Sequence, residues 1–248
     1  MLSYSYFADF YDALTNNVHY ERCGEYILQL AEKYNHNMGI TLDLACGTGS
    51  LTLWLKKKGV DIYGIDASAE MLSVAQEKAL DSDISGMLFL RQKMQNIDLY
   101  GTIDTCICTL DSINHITDKD DVQKTFSRVS FFMNPEALFI FDVNTPYKHQ
   151  RVLGNNTFVY DTRKVYCVWQ NSLCRDNRTV DISLDFFQRD GDIYRRYSEN
   201  FMERAYTHTE ICEMLEKAGF RLLDVFGEMS FDKPTETSQR NFYIAKKL

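Results

Sequence analysis

From residue 20 onward the apolar positions change period several times, and each change marks an element. Tyr26, Ile27, Leu30, Ala31 and Tyr34 recur at helical spacing over residues 20 to 34, one face of an amphipathic helix that Asn35-His36-Asn37 ends. The pattern then predicts a strand over 40 to 44, a helix over 50 to 58, a strand over 61 to 65 and a helix over 68 to 80 with Ser68 as its N-cap. Strands over 87 to 91 and 102 to 109 follow. Next come a helix opened by Asp118, with Val122, Phe126, Val129 and Met133 on one face, and a strand over 137 to 143. Strands separated by helices of this length imply a parallel sheet with right-handed crossovers.

Residues 158 to 206 lose the helical period. Val180, Ile182, Leu184 and Phe186 interleave with Thr179, Asp181, Ser183 and Asp185, which describes an antiparallel sheet with one wet face. Turn signals at Arg175-Asp176-Asn177 and Asp190-Gly191 divide it into about three strands. Thr207 and Glu210 fit a capping box that opens a helix running to Ala218, stopped by Gly219. Strands over 221 to 226 and 241 to 245 then form a hairpin on the edge of the main sheet. The expected organisation is a core of residues 1–149 and 207–248, interrupted by an antiparallel unit at 150–206.

Composition narrows the partners. A net charge of −8 argues against nucleic acid, whose binders cluster Lys and Arg against phosphates, and points to a small-molecule substrate. The seven cysteines lack paired spacing and read as free thiols in a reducing, cytoplasmic setting. With no His at ligand distance from Cys106 and Cys108, no metal site is expected. No apolar run is long enough to span a bilayer, so no membrane partner is expected.

The chemistry concentrates where the first strand turns into a helix, at Leu42-Asp43-Leu44-Ala45-Cys46-Gly47-Thr48-Gly49-Ser50. Small residues at 45, 47 and 49 let a ligand approach the backbone, at the end of the strand where α/β sheets place their cofactors. The dinucleotide fingerprint demands a small residue at 52, which is Thr, so the NAD form is disfavoured. Asp66 ends the second strand in Gly64-Ile65-Asp66-Ala67-Ser68, where a carboxylate accepts ribose hydroxyls of a nucleotide-type cofactor.

These two motifs, with Met71-Leu72 and with Leu110-Asp111-Ser112 followed by Asn114, resemble the class I S-adenosylmethionine (SAM)-dependent methyltransferases. The likeness is to the small-molecule-like members that carry an antiparallel insertion after the fifth strand. The resemblance implies an α/β fold, a doubly wound Rossmann-like seven-stranded sheet with an inserted small antiparallel sheet. It also implies SAM as cofactor and S-adenosyl-L-homocysteine as product. Gly47 and Gly49 would flank the methionine part of SAM, Asp66 would hold the ribose, and Asp43 would orient the loop or the SAM amino group. Leu110 and Asp111 would lie near the methionine end, with Ala45, Cys46, Ala67 and Met71 completing the cofactor-side residues. Met94 would offer a backbone amide to adenine. Lys93 stands where the family often has an acidic residue, leaving adenine to backbone groups or to Gln92 or Gln95. The leading segment Tyr6-Phe7-Ala8-Asp9-Phe10-Tyr11-Asp12 resembles the family's own, whose tyrosines, here Tyr6 and Tyr11, close over SAM.

Methyl transfer from a sulfonium is an in-line displacement that needs alignment and exclusion of water. Where the acceptor must lose a proton, His115 is the candidate base, with Asp142 and Asn144 as alternatives, and Tyr166 and Trp169 are candidates to cage an acceptor. The inserted sheet forms either the acceptor pocket or a homodimer interface. The competing readings are a non-catalytic SAM-binding protein, an RNA methyltransferase and an NAD-dependent oxidoreductase.

Overall fold

The computed structural model describes residues 19–163 and 165–248. The main sheet has seven strands: β1 (Ile40–Leu44), β2 (Asp61–Asp66), β3 (Phe89–Arg91), β4 (Ile103–Cys108), β5 (Met133–Asn144), β10 (Phe220–Gly227) and β11 (Arg240–Lys247). Their order is β3-β2-β1-β4-β5-β11-β10, with β1 to β5 and β10 running in one direction and β11 antiparallel between β5 and β10. The order reverses between β1 and β4, the topological switch point at which such sheets open a crevice beyond their carboxyl ends.

The helices pack as the periodicity predicts. Helices α1 (Tyr20–Lys33) and α2 (Ser50–Lys57) bury Ile27, Leu30 and Leu55 with Leu138 and Ile140 of β5. Helices α4 (Lys119–Phe132) and α5 (His208–Lys217) cover the opposite face, where Phe126 and Met214 meet Phe139, Phe141 and Tyr243. Successive β5 residues therefore serve opposite cores, which is why that strand is continuously apolar. Helix α3 (Ala69–Asp81) opens on Ser68, whose hydroxyl accepts the Met71 amide at 3.1 Å, and α5 opens on the full Thr207–Glu210 capping box.

The inserted sheet is antiparallel with four strands, β6 (Thr157–Asp161), β7 (Val165–Leu173), β8 (Thr179–Asp190) and β9 (Ile193–Arg204), rather than about three. The β6–β7 turn escapes detection because it holds no Gly, Pro or Asn; Thr162 closes it through its hydroxyl and Val165. The apolar face of β8 is buried within the same chain, against Met71 and Val74 of α3 and Leu153. Two boundaries also move. Met133 leaves the predicted helix face to begin β5, and β3 shrinks to three residues.

All seven cysteines are free thiols. Among the described residues no helix is long and apolar enough to cross a membrane, and no group of metal-ligating side chains is assembled.

Candidate functional site

The crevice at the switch point is lined by Tyr20, Asp43, Ala45, Cys46, Gly47, Thr48, Ser50, Thr109, Leu110 and Ser112. It therefore brings together the turn after β1 and the turn after β4. The first turn runs through left-handed backbone at Ala45, Gly47 and Gly49. The two glycines do different work. Among the described residues a Cβ at Gly47 would meet nothing within 4 Å, so this is where the backbone is bare toward the crevice. A Cβ at Gly49 would lie 2.8 Å from Ala75 Cβ and 3.1 Å from the Phe89 ring. Gly49 thus lets the turn sit on α3 and β3, its absent side chain pointing to the core.

Asp66 holds the turn in place. Its carboxylate accepts the Gly47 amide at 2.9 Å and the Ser68 amide at 2.8 Å, one on each oxygen. A carboxylate has roughly four acceptor positions, so both oxygens keep lone pairs for further donors. Burial pushes its pKa up, and the amides of Ser68, Gly47 and Ala67 oppose this. Asp43, 2 % exposed, accepts the Thr52 hydroxyl at 2.5 Å. Burial pushes Asp43 up to about 7; the Thr52 bond lowers it and the charge of Asp66 raises it. Thr52, which disfavours the dinucleotide pattern, is thereby the partner that keeps a buried carboxylate satisfied. Lys78 reaches across from α3 to Thr48 Oγ1 (2.9 Å) and Ser50 Oγ (2.7 Å).

Leu110 and Asp111 both have left-handed φ, at 58° and 57°. Asp142 compensates by accepting both of their amides at 2.7 Å. Asp111 in turn accepts from Arg240 and from Asn144, each at 2.7 Å. Burial acts to raise the Asp111 pKa, but Arg240, then Lys148 and His115, hold it below the usual carboxylate range. Asp142 and Asn144 are committed to this scaffold, so neither is the alternative base considered above.

The other candidates fall in varied places. Ala67 lends its carbonyl to Arg91, and Met71 is buried in the cluster shared with the inserted sheet. Lys93 is exposed on the rim, while Met94 sets its sulfur 3.9 Å from Cys108 Sγ. Both ends of the Gln92 amide are bonded to the Asp98 backbone, which removes it as an adenine reader and leaves Gln95 and backbone groups. Tyr166 is exposed on the outer face beside Phe187, and Trp169 packs in the inner cluster with its indole N–H on Asn171. Neither is a cage. Tyr6 and Tyr11 lie outside the described residues.

His115 ends the short 3-10 helix Ser112–His115 after β4. Its Nε2 lies 3.6 Å from Glu203 Oε1, and its ring is 5.2 Å from that of Phe201, both on β9. Burial lowers its pKa, against the opposing pull of Asp111 and Asp66. On the far side of Glu203 stands His149, in the π-helical turn Lys148–Leu153, with Nε2 3.8 Å from Glu203 Oε2. Glu203 and His149 were not legible as site residues. The available signal was that Glu199 and Glu203 occupy inward positions of an alternating strand, where carboxylates are rarely left without a task.

A family model described as a methyltransferase domain matches residues 41–136. YqeM of Bacillus subtilis, which carries the name of a methyltransferase, is 35 % identical over 246 residues, 98 % of this chain and 97 % of its own. The crystal structure of an S-adenosylmethionine-dependent methyltransferase from Clostridium acetobutylicum superposes with a TM-score of 0.89 at 36 % identity and 98 % coverage of both chains. A glycine/sarcosine N-methyltransferase from Halorhodospira halochloris is 26 % identical over 204 residues, 82 % of this chain and 72 % of its own.

Proposed function

The chain belongs to the class I SAM-dependent methyltransferases, and from that premise we propose that it methylates a small-molecule acceptor held between the turn after β4 and the inserted sheet. The observation that carries this reading is the crevice at the switch point, bare at Gly47 and braced by Asp66. The residues present fit the cofactor. Gly47 offers backbone access, Asp66 keeps acceptor positions for two ribose hydroxyls, and Asp111, held ionised, supplies negative charge near a cationic donor. When bound, SAM supplies an electrophilic methyl group on a sulfonium.

What remains for the protein is alignment and dryness. Phe201 and Glu203 of β9 face His115, so the inserted sheet supplies one wall of the acceptor side and the turn after β4 the other. The burial of the β8 apolar face against α3 accounts for that surface within one chain, which favours the acceptor-wall reading over a dimer interface. The glycine/sarcosine N-methyltransferase takes by name acceptors of a few heavy atoms, which supports the small-molecule class. The test is calorimetric titration with SAM, S-adenosylhomocysteine and NAD, with mass spectrometry of the natively purified protein. Binding of SAM and S-adenosylhomocysteine but not NAD is the expected result; a protein that binds NAD and neither sulfur compound would refute the reading.

A further inference from the structure

Glu203 is 4 % exposed, and its Oε2, like His149 Nε2 opposite, has no hydrogen-bond partner among the described residues. The His149 Nδ1 lies 2.8 Å from the Arg178 carbonyl, which only accepts, so Nδ1 carries the proton and a neutral ring presents a lone pair at Nε2. A lone pair and a carboxylate oxygen thus face each other at 3.8 Å, beyond hydrogen-bond distance and with no donor between them, so the pair has room to take up a proton. Burial and then Asp111 push Glu203 up to about 8, while Lys148 and Arg240 oppose this; burial keeps both flanking imidazoles below their ordinary values.

Among the described residues Glu203 makes its ion-pair contacts with His115 and His149 and not with a Lys or Arg. Arg240 is engaged by Asp111 at 2.7 Å and Lys148 by Asn144 at 2.9 Å. On the same inward face of β9 lie Phe201, against His115, and the buried carboxylate Glu199. The acceptor side therefore presents carboxylates, an imidazole and an aromatic ring. This set recognises an organic ammonium, through charge-assisted N–H bonds and the ring face, and repels a carboxylate or phosphate.

Building on the methyltransferase reading above, we propose that the acceptor is a primary or secondary amine, that Glu203 receives its ammonium beside His115, and that the Glu203–His149 pair takes the proton that must leave before nitrogen attacks. The balance is simple. One N–H proton moves to Glu203, the freed nitrogen lone pair forms the N–CH3 bond, and the C–S pair returns to sulfur. Products are the N-methylated amine, the thioether and one proton passed on to solvent. Glu203 touches the substrate, and His149 is a positioning residue that acts through it.

The test uses the full chain with SAM and a panel of primary and secondary amines, each matched to the alcohol and carboxylic acid of the same skeleton, with S-adenosylhomocysteine release as readout. Amines alone should raise release above the acceptor-free rate, and Glu203→Gln should cut the amine-dependent rate roughly thirtyfold or more, the loss typical of removing one charge from a buried pair. SAM affinity should stay within about threefold, since Glu203 lies outside the cofactor crevice. His149→Gln should lower kcat and shift its pH profile without raising KM. Turnover of an alcohol or acid instead, or an unchanged rate in Glu203→Gln, overturns the proposal. Should no panel member react, calorimetry with benzylammonium on the S-adenosylhomocysteine complex decides: binding that Glu203→Gln weakens about tenfold or more supports it, and no binding to the wild type overturns it. Failure to bind SAM would instead refute the methyltransferase reading, so the two failures are distinguishable.

Discussion

The two glycines of the first turn, so alike in sequence, should respond differently to the same substitution. At Gly49 the added Cβ of Gly49→Ala meets Ala75 Cβ at 2.8 Å and Phe89 at 3.1 Å, both of them in the core cluster of α3 and β3. Overpacking of this kind costs about 1 to 3 kcal/mol. Left-handed backbone at φ +71° adds about 1 to 2 kcal/mol for a residue with a side chain. The sum is roughly 2 to 5 kcal/mol, which lowers Tm by about 5 to 15 °C for a domain of this size. At Gly47 the same methyl meets nothing, so Gly47→Ala carries only the backbone cost of about 1 to 2 kcal/mol. Its Cβ enters the crevice, however, and SAM affinity should fall by about tenfold or more. Differential scanning fluorimetry on the ligand-free proteins and calorimetric titration with SAM separate the two effects. A Gly49→Ala protein as stable as the wild type, or a Gly47→Ala protein with unchanged SAM affinity, would refute the division of labour.

Three further outcomes follow from the bonds around the crevice. Asp66→Ala removes an acceptor shared by the Gly47 and Ser68 amides and offered to the ribose, and SAM affinity should drop roughly tenfold to several hundredfold by calorimetry. Thr52→Val keeps the shape but strips buried Asp43 of its hydroxyl partner, at about 1 to 3 kcal/mol in urea melts. The third concerns pH. Asp43 and Glu203 have folded values of about 7 and about 8, above their ordinary 3.8 and 4.5, so the native state binds more protons than the unfolded state across that range. Stability of the ligand-free protein should therefore be fully present below about pH 4 as far as these two groups are concerned, decline as pH rises, and level off above about pH 8. Glu203→Gln should flatten that decline in melts at pH 5 and pH 8; an identical slope in the variant would contradict the assignment.

What was legible in the sequence was local. The turn after β1, Asp66 and the Thr207–Glu210 box are each set by residues a few positions apart, so spacing alone exposes them. The alternation of β8 likewise shows its buried face, because period two needs no knowledge of what covers it. The rest depends on distance along the chain. Arg240 meets Asp111 across 129 positions, and Glu203 meets His115 only because β9 returns beside the turn after β4. Met133 fits the helical period of α4 and still leaves it, since the β5 register with Ile103 claims it. The direction of a missing Cβ is also invisible in sequence, so the packing demand at Gly49 emerges only from the fold.

The inserted sheet is tied to the core at both of its junctions. Asn114, fully buried, donates to the Asn144 carbonyl (3.2 Å) and to the Arg204 carbonyl at the end of β9 (2.9 Å), and accepts the Asn144 amide (2.8 Å). One side chain thereby ties together the turn after β4, the end of β5 and the end of β9. Just beyond β9, Tyr206 bonds the Ile116 carbonyl, and at the other crossing His149 and Gln150 bond the carbonyls of Arg178 and Asn177. A hinge at either junction would have to break these bonds together, and each buried group left unsatisfied, those of Asn114, His149 and Tyr206, costs about 1 to 3 kcal/mol. The end of β9 that bears Glu203 is therefore held in register with His115 before any ligand arrives. On the proposed reading such a site gains by preorganisation, since the contacts that fix the end of β9 are the same ones that fold the core.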